Sequence, residues 1–385
     1  MSLELNQKPT YFQRAYDLEK MLKPNKAIVL YGPRQVGKTT LIEELAQKTK
    51  LKTFKSTGED LKLKILFEKP DFDGLINFAR NYELIIIDEG QNLPNIGLGL
   101  KIIIDHVKGI KIVVSGSASF DLAGQIGEPL VGRKFTYILY PLSVLELKEY
   151  YSPYDLKNDL LKKLLLFGLY PEVLTAETDK EKRKILSEIV DSYLLKDIFT
   201  LEKVKSPKTL TNLLKMLAWQ VGSEVSLTEL SNNLNIDYKT VERYLDLLEK
   251  SFIITSLYGF SRNLRKELRK KNKYYFIDVG IRNALIGNFN EIEVRNDIGP
   301  LWENFVFIER VKKLAYTKQY GNLYFWRTWD KKEIDLVEER DGRLLGYEFK
   351  WRPKKTDKAP KLWLKTYDNA SWQLITPENY LDFVT

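Results

Sequence analysis
Gly32-Pro33-Arg34-Gln35-Val36-Gly37-Lys38-Thr39 reads G-x-x-x-x-G-K-T. It lies between an apolar run, Ala27-Ile28-Val29-Leu30-Tyr31, and a helical pattern, Thr40-Leu41-Ile42-Glu43-Glu44-Leu45. Strand, glycine loop and helix form the setting in which this spacing cradles a phosphate. The glycines let main-chain N–H groups turn inward, and the helix N-terminus adds positive potential. Gly32 through Thr40 are therefore the expected nucleotide cradle. Lys38 is expected to reach the β- and γ-phosphates, and the Thr39 hydroxyl to ligate Mg²⁺. The competing reading, an ordinary glycine turn entering a helix, is disfavoured because both flanks fit.

Downstream, Leu84-Ile85-Ile86-Ile87-Asp88-Glu89 is an apolar strand that ends in two carboxylates. Acids at that strand end emerge at the sheet edge where ligands bind in this class of fold. Asp88 is expected to hold Mg²⁺ through water, and Glu89 to orient or deprotonate an attacking water. Val113-Val114-Ser115-Gly116-Ser117 ends the next strand with small polar groups. One of its serines can sense the γ-phosphate, with Ser117 slightly preferred. Arg133, after Gly132, is a candidate arginine finger, in cis or from a neighbouring subunit. A finger acting in trans would make the protein a homo-oligomer.

Composition narrows the chemistry. The chain has 385 residues, room for two or three domains. With 44% hydrophobic and 29% charged residues it reads as soluble and globular. A net charge of +9 favours polyanions, ATP and nucleic acid among them. Cysteine is absent, which excludes disulfides, thiolate catalysis and cysteine zinc sites. The single histidine, His106, lies in a helical pattern, so any metal would be held by carboxylates, as Mg²⁺ or Mn²⁺ are. No apolar run approaches the ~18 residues of a membrane span. No signal peptide is evident either, and the expected location is the cytoplasm, without a membrane partner.

Strands alternate with helical segments through about residue 140, the pattern of a parallel sheet covered by helices. Residues 143–201 then read as almost wholly helical. Near Pro207 a second unit begins. Ser226-Leu227-Thr228-Glu229 has the form of a capping box, and Asp237 can cap a helix from Tyr238 to Lys250. Two apolar segments follow, Phe252–Tyr258 and Tyr274–Ile277, joined by a basic stretch. Helix, turn, helix and basic ribbon is the layout of a winged helix. Lys239 and Arg243 on the second helix, with Arg262, Arg265, Lys266, Arg269, Lys270 and Lys271 in the ribbon, would meet phosphates. Glu242 and Glu267 count against that reading, as does a solvated hairpin or a protein contact. Double-stranded DNA is expected ahead of single-stranded.

The last unit pairs Glu333-Ile334-Asp335-Leu336-Val337 with Tyr347-Glu348-Phe349-Lys350 across a turn at Gly342. Glu348 and Lys350 share a strand face because side chains alternate with period two. Asp335 can lie beside Glu348, and Glu303 on the preceding helix can add an acid. Two carboxylates and a lysine at one point can hold a divalent cation and polarise water against a phosphodiester. Trp326, Trp329, Tyr347 and Trp351 surround the cluster; core packing outweighs base stacking for them.

Together GPRQVGKTTL (32–41), IIIDEGQNLP (85–94), VVSGSAS (113–119) and GEPLVGRKFTYILYPLSVLEL (127–147) resemble AAA-type ATPases of archaea and bacteria. In those proteins the ATPase is fused to a C-terminal region of unknown function. The resemblance implies a strand between the P-loop strand and the Asp-Glu strand, then a winged helix, then a nuclease-like fold. It also implies that Arg14 sits near the nucleotide. Asp335, Glu348, Lys350 and Glu303 further resemble the PD-(D/E)xK restriction-endonuclease-like pattern, in which Asp335, Glu348 and Glu303 would bind Mg²⁺ or Mn²⁺ and Lys350 would assist catalysis.

The expected fold is thus α/β: a P-loop NTPase sheet of AAA/ASCE type (1–142), a helical connector (143–206), a winged helix (207–295) and a restriction-endonuclease-like α/β domain (296–385). The expected function is Mg²⁺-dependent ATP hydrolysis coupled to DNA binding or processing, with metal-dependent phosphodiester cleavage as a conditional second activity. The alternative is a nucleotide-gated switch whose winged helix and inactive nuclease-like domain bind DNA or a protein partner.

Overall fold
Five apolar segments of the N-terminal half pair as parallel strands: β1 (Lys26–Tyr31), β2 (Thr53–Thr57), β3 (Leu84–Asp88), β4 (Lys111–Gly116) and β5 (Lys134–Ile138). Their order is β2-β3-β4-β1-β5. β4 lies between β1 and β3, so a strand does separate the glycine-loop strand from the Asp-Glu strand. The computed structural model describes residues 9, 11–116, 126–194, 206–261, 271–328 and 332–385. Contacts divide the chain into two units, one built on Arg14–Tyr140 with Lys250–Phe252, the other on Pro141–Glu249 and Ile253–Thr385.

In the first unit β1, β3 and β4 are buried nearly end to end, which explains their continuous apolar runs: a parallel sheet is covered on both faces. Helix α1 (Lys38–Lys48) buries Leu41, Ile42 and Leu45, and α2 (Ile96–His106) buries Leu100, Ile103 and Ile104. Every strand runs in one direction, so Tyr31, Asp88 and Gly116 end at the same edge of the sheet.

The second unit starts with short helices. One of them, α3 (Asp159–Phe167), stops at Gly168. Gly168 has φ +71°, and a β-carbon there would lie 2.0 Å from Asp278 Oδ1. That approach is used: Asp278 accepts N–H bonds from Leu169 (2.7 Å), Gly280 (2.8 Å) and Ile281 (3.2 Å).

Three helices follow, α4 (Pro207–Trp219), α5 (Leu227–Leu234) and α6 (Tyr238–Lys250). Ser226 accepts the Glu229 N–H, and Asp237 accepts the Thr240 N–H at 2.9 Å. α6 buries Val241, Leu245 and Leu248 and exposes Lys239, Glu242 and Arg243.

β6 (Ile254–Gly259) and β7 (Lys273–Phe276) form an antiparallel ribbon. β8 (Asn322–Arg327), β9 (Glu333–Arg340), β10 (Arg343–Phe349) and β11 (Ala370–Ile375) complete a sheet of order β11-β10-β9-β8-β6-β7. β6 pairs with β8 through Tyr258 and Tyr324 and through Gly259 and Phe325. The ribbon and the C-terminal strands are therefore one sheet. The boundaries expected at 206/207 and 295/296 both fall inside this unit. Helix α7 (Ile298–Tyr316) packs on it, and Asn304 grips Phe276 of β7 by both its N–H (2.9 Å) and its C=O (2.8 Å). Among the described residues no helix is long and apolar enough to cross a membrane.

Candidate nucleotide site
The loop leaves β1 at Gly32, whose φ of +150° lets the main chain pass where a β-carbon would lie 2.1 Å from Leu139 O. Gly37 then caps α1 with no side-chain hydrogen bond, so no cap side chain claims the first-turn N–H groups. Pro33 and Val36 are buried, whereas Arg34, Gln35, Thr39 and Thr40 are exposed. Lys38 is only 5% exposed and folds over the loop, with Nζ donating to Gly32 O (2.9 Å) and Pro33 O (2.7 Å). Burial pulls its ammonium down to about 8, opposed by the charges of Glu89 and Asp88.

Asp88 stands across from the loop and gathers three donors. Thr39 Oγ1 donates to Oδ2 at 2.6 Å, Ser115 Oγ to Oδ1, and the Glu89 N–H to Oδ1 at 3.0 Å. Glu89 has left-handed backbone angles (φ 50°), and its carboxylate accepts from Gln91 Nε2. Thr39, Asp88, Glu89 and Ser115 thus come together at the edge where β1, β3 and β4 end. Ser117 lies outside the described residues. Arg14 buttresses the loop from behind, donating to Val36 O and to Tyr140 O (2.7 Å).

Two residues were missed by sequence reasoning here. Ser115 was one of two equivalent-looking serines, and the β3–β4 register, Ile87 beside Val114, is what puts it next to Asp88. Gln91 stood unremarked within IIIDEGQNLP.

Arg133 lies away from the glycine loop. It precedes β5, whose first residue, Lys134, pairs with Ala27 at the start of β1. It therefore sits at the sheet edge opposite the glycine loop, about 17 Å away for a five-residue rise. There it forms a two-point ion pair with Asp105 at 2.6 and 3.1 Å. A finger role on its own nucleotide does not fit; a role in trans is a separate matter that requires a second copy.

In the second unit the C-terminal acids do converge. Asp335, which is buried, accepts the Phe349 N–H at 2.8 Å, and Glu348 pairs with Lys350 at 2.6 Å. Burial, with Glu303 and Glu348 as like charges, pushes the Asp335 carboxyl well above the usual range. Burial also raises Glu348, against the pull of Lys350. Glu303 is held by Tyr275 Oη (2.7 Å) and by Lys273 Nζ (3.0 Å). Lys273 was not singled out in the sequence, where it reads as the tail of the basic ribbon. Among the described residues, no group of three or more acidic or histidine side chains is placed to hold a metal ion. Trp326 packs against Trp363, Tyr347 against Phe383 and Trp351 against Trp302, as core aromatics do. Trp329, Arg262, Arg265, Lys266, Arg269 and Lys270 lie outside the described residues.

Comparison with known proteins agrees with the first unit. Residues 24–148 match the AAA domain family, residues 158–292 a domain of unknown function (DUF8612), and residues 298–378 another (DUF4143). An uncharacterized protein of Mycobacterium tuberculosis is 29% identical over 336 residues, 86% of this chain and 72% of the relative. An uncharacterized protein of Haemophilus influenzae is 31% identical over 278 residues, 70% and 66% respectively. A solved signal-transduction ATPase with numerous domains, carrying a tetratricopeptide-repeat sensor, from Pyrococcus horikoshii is 15% identical. It aligns with a TM-score of 0.26 over 75% of this chain and 43% of its own. The chain thus carries an AAA-type P-loop ATPase domain followed by two domains of unknown function.

Proposed function
We propose that the first unit hydrolyses ATP with Mg²⁺ and that the second unit binds duplex DNA. The observation that carries the first half is the meeting of Lys38, Thr39, Asp88 and Glu89 at one sheet edge, beside an uncapped helix N-terminus. The donor set fits the group it would hold. Thr39 and Asp88 are hard oxygen ligands already within hydrogen-bonding reach of each other, and they would hold magnesium, whose charge offsets that of the phosphates. Lys38 trades its two carbonyl partners for phosphate oxygens. The first-turn N–H groups of α1 bind the same anion. Glu89, aimed by Gln91, orients the attacking water and accepts its proton. Ser115 keeps Asp88 in place.

For the second half, the order of helices and ribbon from α4 to β7 supports a winged helix, with Lys239 and Arg243 exposed on α6. The basic stretch at 262–271 adds phosphate-binding charge. Metal-dependent cleavage is not part of this reading, because the C-terminal acids are already engaged.

Turnover assays test it. Lys38→Ala is expected to lower ATP hydrolysis by on the order of a hundredfold or more while circular dichroism stays unchanged. Duplex DNA is expected to stimulate the wild-type rate, less so as salt rises. A Lys38→Ala protein that turns over normally would refute the ATPase. A rate and a DNA affinity both indifferent to salt would refute the DNA partner.

A further inference from the structure
Glu303, one of the acids expected to surround a divalent cation in the C-terminal sheet, already has a cation beside it, and that cation belongs to the chain. Lys273 is 1% exposed. Its ammonium lies 3.0 Å from Glu303 and 2.5 Å from Glu333 and stands 5.4 Å from the centre of the Phe325 ring. Tyr275, two residues along β7 and so on the same strand face, donates to the same Glu303 oxygen at 2.7 Å. Asp335 is spoken for by a main-chain N–H and Glu348 by Lys350. Each of the three acids thus already has one of its carboxylate oxygens held by a donor fixed in the fold. A buried ammonium between Glu303 and Glu333 offsets part of the carboxylate charge and repels a second cation.

We propose that Lys273 is the resident cation of this cluster, making it a closed ion-pair joint that takes neither Mg²⁺ nor Mn²⁺. The joint ties β7 to α7 and β9, the elements that carry Glu303 and Glu333. It follows that this unit does not carry out metal-dependent phosphodiester cleavage. The inference is independent of whether the first unit hydrolyses ATP.

The test uses the full chain carrying Lys38→Ala, free of nucleotide, so that the P-loop contributes as little as it can. Mn²⁺ is titrated and followed by electron paramagnetic resonance. The expected result is no site filled at submillimolar Mn²⁺, and no nicking of supercoiled plasmid with Mg²⁺ or Mn²⁺. One Mn²⁺ per chain that Glu303→Gln or Asp335→Asn removes would overturn the proposal, as would nicking that Asp335→Asn abolishes. Adding Lys273→Met is expected to create a Mn²⁺ response, read as a rise in melting temperature that the parent lacks. A folded Lys273→Met protein indifferent to Mn²⁺ would show that Lys273 is not what excludes the metal. If Lys273→Met does not fold, the titration of the parent decides alone.

Discussion
Asp88 shows how much of the site is set residue by residue. Its two oxygens take hydrogen bonds from Thr39, Ser115 and the Glu89 N–H, so its carboxylate is fixed before any ligand arrives. A hydrogen bond to a charged group contributes about 1.5–3 kcal/mol. Ser115→Ala is therefore expected to raise the magnesium concentration for half-maximal turnover about tenfold, with the fold intact. An unchanged magnesium requirement would show that Ser115 only fills space. Lys38, Thr39, Asp88 and Glu89 were legible in the sequence because their motifs carry their own context, a strand before and a helix or turn after. Ser115 was not. It and Ser117 lie two apart in the sequence, and only the pairing of β3 with β4 puts Ser115 beside Asp88. Lys273 was hidden for the opposite reason: surrounded by other lysines and arginines, it looked like surface charge.

At the scale of elements, α7 reads as a helix from its periodicity, yet its polar residues are turned inward. Asn304, Glu309, Arg310 and Lys312 are all buried. Glu309 accepts the Val144 N–H at 2.6 Å, Lys312 donates to Leu142 O at 2.8 Å, and Arg310 pairs with Glu338 at 2.6 Å. Partners this distant in sequence leave no local trace, so periodicity alone assigns such charges to solvent. The same holds for the pairing of β6 with β8, which sequence reading placed in separate domains. Asn304 is the sharpest case, because its amide stands in for a neighbouring strand along β7. Asn304→Leu keeps the bulk and strands two buried main-chain groups. It is expected to cost about 2 kcal/mol or more in urea denaturation. A cost below about 0.5 kcal/mol would mean water or a shifted strand satisfies Phe276 instead.

Over the whole molecule, each of the two units carries a different kind of legibility. The first could be read in outline, since a P-loop sheet uses continuous apolar strands and puts its chemistry at their ends. The second has elements that could be read one by one, but its single sheet, its inward-facing charges and its internal cation arise only from tertiary pairing. Every role proposed for the first unit requires that it take a nucleotide at Lys38. Isothermal titration calorimetry of the full chain with a non-hydrolysable ATP analogue and Mg²⁺ measures this directly. One nucleotide per chain, bound at least tenfold more weakly by Lys38→Ala, is the predicted result. No binding heat up to about 1 mM analogue, or binding untouched by Lys38→Ala, would contradict it.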